Sequence, residues 1–234
     1  MPELDSAAYW DAQASAYAQG RSPSGVDATT LDAVPPRGQV LELGCGPGVV
    51  TAQLLERMGG PSDLVVTDVS GGFCAMAQAL EPGLRVLHSD CRQLDLPADS
   101  LDTVYAMAVL HHLPEPDCRD VLGNIASWLR PGGQLALVED WAFEPRTEAE
   151  TRLMRLRREL GAHEGETHPS HQDWCERLAG AGLWVRQTLA PRRRESLDRY
   201  AVLDTDQARA DLAWLQAHDG NCTIPMTLFC CEVP

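Results

Sequence analysis

The sequence predicts an α/β fold, a mostly parallel sheet with helices on both faces. Short apolar runs recur at 40–43, 64–67, 84–87, 101–106 and 134–138, each bounded by Gly, Pro, Asp or Ser, as buried strands are. Between them lie stretches with apolar residues three or four apart, such as Val50, Leu54, Leu55 and Met58, a spacing that gives a helix one apolar stripe. Strands alternating with helices imply parallel pairing, because a parallel connection must cross the face of the sheet.

The first run ends in Gly44-Cys45-Gly46-Pro47-Gly48, a strand-to-helix corner. Glycine suits a corner where the backbone takes unusual dihedrals or where a ligand lies against the main chain. Dinucleotide sites use G-x-G-x-x-G. Here the spacing from Glu42 is E-x-G-x-G-x-G, with Val49 where a third dinucleotide glycine would stand, which argues against NAD. The second run ends in Asp68, roughly 20 residues beyond the glycines, where α/β nucleotide sites place a carboxylate on ribose hydroxyls. Asp68 equally suits the cap of the helix that follows.

These segments, with Leu84 to Asp90, Leu101 to Leu113 and the Leu129-Arg130-Pro131-Gly132-Gly133 stop, occur in an order and spacing that resembles the class I S-adenosylmethionine-dependent methyltransferases. The nearest look is to the subgroup typified by ubiquinone and menaquinone biosynthesis enzymes (methyltransferase type 11). The resemblance is close over about 40–140. It implies a Rossmann-like, seven-stranded sheet with its last strand antiparallel, and a helical lid insertion. It also implies one domain over 1–234, made of an N-terminal helical cap (1–36), a cofactor-binding core (37–140), a lid and helix (141–182), and C-terminal strands with a helical insertion (183–234). The implied cofactor is S-adenosyl-L-methionine, held by Tyr17, Gly44, Cys45, Gly46, Asp68, Val69, Asp90, Cys91 and the Ala106 carbonyl. In that scheme Asp90 accepts from the adenine amine and the Cys91 amide donates to the ring.

Composition narrows the partner. A formal net charge of −15 over 234 residues repels nucleic acid and anionic membranes; with the resemblance, the expected partner is a small-molecule methyl acceptor, and the expected state is a monomer or homodimer. All 19 basic residues are arginine, which removes lysine Schiff-base chemistry. The acidic start Met1-Pro2-Glu3-Leu4-Asp5 lacks a secretory apolar stretch, and no run is long enough to span a membrane, so a cytoplasmic protein is expected. The 8 cysteines form no zinc-type spacing and read as free thiols. Cys230 and Cys231 would point to opposite faces of a strand.

Along the chain, Asp5 or Ser6 caps a first helix with Tyr9, Trp10, Ala14 and Tyr17 on one side, ending by Gly20. Tyr17, with Arg21, touches ligand or merely packs. A short helix is expected near 29–34, and others over 72–80 and 116–129. Beyond the fourth strand stand His111 and His112. An imidazole there can take a proton from an acceptor, or support the loop by hydrogen bonding; His111 is the leading base candidate. The fifth strand brings Glu139, Asp140 and Trp141 to the same edge. Thr147 to Glu150 is a capping box whose helix ends at Gly161. His163, His168 and His171 read as an exposed loop and fit no standard metal motif, so no metal is expected. Ser170 caps the next helix, 183–189 is the sixth strand, Arg192-Arg193-Arg194 a solvated loop, 206–218 a helix and 226–232 the last strand.

The expected activity is in-line methyl transfer to a small molecule, with possible histidine-assisted deprotonation. The alternative is a cofactor-binding protein of this fold with non-methylating chemistry or a non-catalytic, partner-binding role.

Overall fold

Strand β1 (Val40–Leu43) turns into helix α3 (Val49–Met58) through three glycines with positive φ, 68° at Gly44, 51° at Gly46 and 85° at Gly48. Side chains at two of them would also collide: a Cβ on Gly44 falls 2.4 Å from Val109, and one on Gly48 falls 2.5 Å from Leu80. The corner is therefore both bent and tightly approached. The computed structural model describes residues 6–139, 145–164, 169–194, 197–218 and 223–234. The expected cap at Asp5, the pair Asp140 and Trp141, and His168 lie outside them, as do the side chains of Ser6 and His163.

Helices α1 (Ser6–Gly20) and α2 (Gly25–Ala33) precede β1. After α3 come β2 (Leu64–Asp68), α4 (Gly71–Leu80), β3 (Arg85–His88), β4 (Leu101–Met107), α5 (Glu115–Trp128) and β5 (Leu129–Glu139). Helices α6 (Glu148–Glu164) and α7 (His171–Gly180) lead to β6 (Trp184–Leu189) and β7 (Arg192–Arg194). Helix α8 (Asp206–His218), β8 (Thr223–Pro225) and β9 (Thr227–Glu232) follow. Seven strands form one sheet in the order β3-β2-β1-β4-β5-β9-β6. Strands β3 to β5 of that row pair in parallel, and β9 is antiparallel to both its neighbours. The expected Rossmann-like sheet with an antiparallel last strand is what forms. Chain order runs outward from β1 through β2 to β3, then jumps to β4 on β1's other side, so the crevice at the carboxyl ends of β1 and β4 is a topological switch point, where ligands of open α/β sheets bind.

Alternate strand residues bury into two cores. Val40, Leu64, Val66, Tyr105, Val138, Leu228 and Cys230 face one, with α2, α3, α6 and α8 supplying Leu31, Leu54, Leu156 and Leu215. Leu41, Leu43, Val104, Leu137, Phe229 and Cys231 face the other, against Val121, Leu122 and Ile125 of α5 and Trp174 of α7. Each fully buried aliphatic side chain contributes about 1.5–3 kcal/mol. Cys230 and Cys231 do part to opposite faces, and the seven cysteines among the described residues are free thiols.

Four local expectations change. The short helix expected near 29–34 is α2, which starts at Gly25, with Ser24 and Asp27 forming a capping box. Helix α5 stops at Trp128, and Leu129 already pairs with Leu101, so Pro131-Gly132-Gly133 sits within β5 rather than before it. Helix α6 continues through Gly161, which is buried, to Glu164. The arginine run is a strand: β7 pairs with β8, and Arg192 donates to the Thr223 hydroxyl and carbonyl and to Glu150.

Glu42 stands on β1 with no exposed surface to speak of, 2 %, and its Oε2 accepts from the Thr51 hydroxyl at 2.7 Å. Burial pushes its carboxyl from 4.5 up to about 8, against the Thr51 bond and with the charges of Asp68 and Asp27 adding to the rise. The folded state therefore holds a proton there that the unfolded chain has lost, and stability falls as pH rises from about 4.5 to about 8. Glu42→Gln keeps the shape and a neutral acceptor. We expect its melting curve to lose that slope and to lie roughly 5–10 °C above wild type at pH 8 while nearly matching it at pH 5; parallel pH slopes in the two proteins would refute the assignment.

Candidate active site

The crevice at the switch point is an open cleft with an empty volume of about 800 Å³, counting its mouth. Its floor is the glycine corner: Gly44, Gly46 and, from β2, Thr67, Asp68 and Val69. Ser89, Asp90 and Cys91 form one end, Met107, Ala108 and Val109 one wall, and Trp10, Tyr17, Phe73, His112 and Leu113 the mouth.

Asp68 is buried, and both its oxygens accept from backbone amides, Oδ2 from Gly46 and Oδ1 from Ser70, each at 2.9 Å. Burial raises its carboxyl above the usual range, while the Ser70 and Gly46 amides work in the opposite sense. The Val69 amide is a third backbone donor to it, which leaves the carboxylate about one acceptor direction. At the far end Asp90 caps a 3₁₀ turn over Cys91–Gln93, accepting from the Arg92 amide at 2.9 Å. Although burial opposes it, the Arg92 guanidinium holds Asp90 below the usual carboxylate range. Burial pushes the Cys91 thiol up to about 12, so it stays a neutral thiol at ordinary pH.

Beyond β4 the chain takes φ 58° at Ala108, a left-handed turn secured by its amide donating to the Val138 carbonyl at 2.7 Å. This turn throws Leu110 and the histidines back toward β5. His111 is 3 % exposed and its Nδ1 lies 2.6 Å from Glu139 Oε2; the other carboxylate oxygen accepts from the Leu110 amide at 3.1 Å. His112 faces the cleft, edge-on to Trp10 with centroids 5.1 Å apart and 4.0 Å from the His111 ring.

Of the residues singled out in the sequence, Tyr17, Gly44, Gly46, Asp68, Val69, Asp90, Cys91 and His112 line the cleft. Three stand elsewhere. Cys45 points into the core beneath the corner, its amide donating to the Thr67 carbonyl. Ala106 is still inside the sheet, paired with Leu43 and Leu137, because β4 runs on to Met107. His111 lies behind the wall, on Glu139. Arg21 is drawn away from the mouth by the buried Asp27, at 3.1 Å.

Helix α1 closes the mouth through contacts the sequence did not single out. Asp11 Oδ1 accepts from the Ser70 hydroxyl at 2.6 Å and from the Gly72 amide at 3.1 Å, joining the cap of α4. The Ser70 hydrogen bond, then the Gly72 amide, lowers its carboxyl below the usual range. Tyr17 and Trp10 pack on Phe73 with centroids 5.7 and 6.3 Å apart. Trp10 and Tyr17 are seven apart, two helical turns, which marks a shared face; nothing in the sequence marks Asp11.

Residues 40–133 match the family model described as a methyltransferase domain. This stretch is a methyltransferase domain, similar to those of the class I S-adenosylmethionine-dependent methyltransferases. A trans-aconitate 2-methyltransferase from Azoarcus sp. (strain BH72) is 33 % identical over 165 residues, 67 % of this chain and 57 % of that protein, so the chain spans less than three fifths of its relative's length. Among solved structures, a geranyl diphosphate C-methyltransferase from Streptomyces coelicolor A3(2), in complex with Mg²⁺, geranyl diphosphate and S-adenosyl-L-homocysteine, superposes with a TM-score of 0.64 at 13 % identity, over 89 % of this chain and 78 % of that one. The [4+2]-cyclase SpnF superposes equally, at 0.64 and 14 % identity, over 98 % and 95 %. The family's cofactor is S-adenosylmethionine, and this cleft fits it: a Cβ on Gly46 would meet only the Tyr17 ring, at 4.0 Å, so the bare glycine leaves the floor open to a ligand between two carboxylates.

Because Asp11 ties α1 to α4 by two hydrogen bonds, Asp11→Ala should speed amide exchange across α1 about tenfold while leaving that of β1 and β4 unchanged. Equal exchange of α1 in both proteins would mean that the aromatic contacts alone hold the helix.

Proposed function

We propose that this protein transfers a methyl group from S-adenosylmethionine to a small-molecule acceptor seated at the mouth of the cleft, with His112 receiving the acceptor's proton. The observation that carries the reading is His112 lining the mouth of the cleft, its ring 4.0 Å from that of His111, which is paired with Glu139. Asp68 would hold ribose hydroxyls, Asp90 the adenine amine, and Gly44 and Gly46 the path between them.

S-adenosylmethionine supplies an electrophilic methyl group on a sulfonium, so most of the rate must come from positioning, which in favourable models is worth roughly 7–11 kcal/mol. Trp10, Phe73, Leu113 and Met107 give the acceptor an apolar seat and exclude water from it. Glu139 accepts the Nδ1 proton of His111 and so fixes its tautomer and orientation. That rigid ring sets the His112 imidazole against Trp10. A neutral His112 takes the proton released as the acceptor atom gains its methyl group.

The charge of the seat restricts the acceptor. Among the described residues, the charged side chains lining the cleft are Asp68 and Asp90. A neutral or cationic acceptor suits such a seat, and a polycarboxylate of the kind named for the Azoarcus relative does not. A second reading has support from the SpnF likeness: a cofactor-binding cyclase of the same fold, which would release no S-adenosylhomocysteine.

The test is calorimetry with S-adenosylmethionine, then a screen of neutral phenols, amines and thiols read by S-adenosylhomocysteine release. No binding would sink the reading, and binding without release on any acceptor would favour the second. With an active acceptor, His112→Gln should lower kcat roughly 100-fold and abolish the acidic limb of its pH profile. His111→Gln should lower kcat about tenfold and keep the limb. trans-Aconitate should be turned over at least 100-fold more slowly than the best neutral acceptor; comparable rates would refute the charge argument.

A further inference from the structure

Arg92 makes more contact with Asp90 than a cap requires. The 3₁₀ turn needs only the bond from the Arg92 amide to Asp90 Oδ1, at 2.9 Å. In addition the guanidinium forks onto the same carboxylate, Nε at 3.1 Å from Oδ1 and 3.0 Å from Oδ2, and Nη2 at 2.6 Å from Oδ2. Its remaining arm, Nη1, donates to Asp117 Oδ2 at 3.0 Å. Asp117 lies in the first turn of α5, so a single guanidinium is stretched between the end wall of the cleft and the helix behind it.

The donor count is informative. A carboxylate offers about four acceptor directions, two per oxygen. The amide holds Oδ1, Nη2 holds Oδ2 and Nε is shared between the two oxygens, so three strong donors leave the carboxylate about one strong acceptor direction. The other donor to Asp90 is the thiol of Cys91, a weak one. The Asp90 side chain is 16 % exposed and lines the cleft, so the remaining direction belongs to the wall. A planar fork also fixes the plane of the carboxylate, as a lysine could not.

We propose that Arg92 is a positioning residue for base recognition: anchored on Asp117, it locks Asp90 as a carboxylate with a single acceptor aimed into the cleft, so that the site selects a purine carrying an amino group at its six-position over one carrying a carbonyl. This rests on the reading of the cleft as the S-adenosylmethionine site. A six-amino group donates to that acceptor; a six-carbonyl meets it lone pair to lone pair, and the locked carboxylate cannot rotate to escape. An exposed ion pair with no such role would leave base selection untouched.

The experiment compares S-adenosylhomocysteine with S-inosylhomocysteine by calorimetry on the whole protein. Wild type should prefer the adenosyl ligand by about 100-fold. Arg92→Ala should weaken S-adenosylhomocysteine at least tenfold while changing S-inosylhomocysteine much less, so that the preference collapses. Arg92→Lys, which keeps the charge and loses the fork, should behave alike. Asp117→Asn, which touches neither Asp90 nor the cleft, should reduce the preference several-fold and covers the case in which the Arg92 variants fail to fold. Preference unchanged in every folded variant overturns the proposal while leaving the cofactor site intact. No binding of S-adenosylhomocysteine to wild type overturns the cofactor reading itself.

Discussion

One buried carboxylate ties the site together. Asp68 accepts from Gly46 with one oxygen and from Ser70 with the other, so it clamps the loop after β1 to the loop after β2. Ser70 then caps α4 through the Phe73 amide at 3.2 Å and passes its own hydroxyl proton toward Asp11 of α1. The order of the mouth thus descends from Asp68: a tight glycine corner, the start of α4, the seating of α1, and through α1 the placing of Trp10 against His112. Burying a carboxylate is costly unless its oxygens are satisfied. Here the backbone amides of Gly46, Val69 and Ser70 offset that cost.

Negative charge is concentrated beneath that clamp. Asp68 and Asp27 both act on Glu42, and burial alone already disfavours its ionised form. A second charged carboxylate under the glycine corner would oppose Asp68, and a protonated Glu42 bound to Thr51 removes that opposition. Arg21 contributes from the other side by pairing with Asp27 at the junction of α1 and α2. The same arginine that the sequence offers as a ligand contact serves instead to anchor the end of the cap helix.

The parallel core was legible because β1, β2 and most of β4 are buried on both faces and read as largely apolar runs, while the edge strand β3 still shows Val86 and Leu87 between the exposed Arg85 and His88. That is why β1 to β4 fall within a residue or two of expectation, and why the alternation of Cys230 and Cys231 could be foreseen from period alone. What failed were signals with two physical meanings. Proline and glycine at 131–133 end a helix in sequence, but here they bulge a strand whose register slips between Leu101 and Thr103. Three arginines in a row look solvated, yet β8 offers a partner strand and Glu150 a counter-ion. His111 and His112 are indistinguishable as letters; only the left-handed turn at Ala108 decides which ring meets Glu139 and which meets the cleft.

That ambiguity is distributed unevenly along the cleft. Its floor and far end are made of backbone amides, glycines and carboxylates at strand ends, where residue type and position are both constrained, so Asp68 and Asp90 can be picked out of the chain. Its mouth is made of Trp10, Tyr17, Phe73, Leu113 and Met107, side chains that a folding chain also needs for packing. A residue recruited for burial and one recruited to seat an acceptor leave the same trace in sequence, and only the meeting of α1, α4 and the loop after β4 in one place separates them. If the mouth seats an acceptor as proposed, the choice of acceptor is carried by how three elements converge rather than by a motif, and it can change through the seating of α1 while the clamp at Asp68 stays fixed.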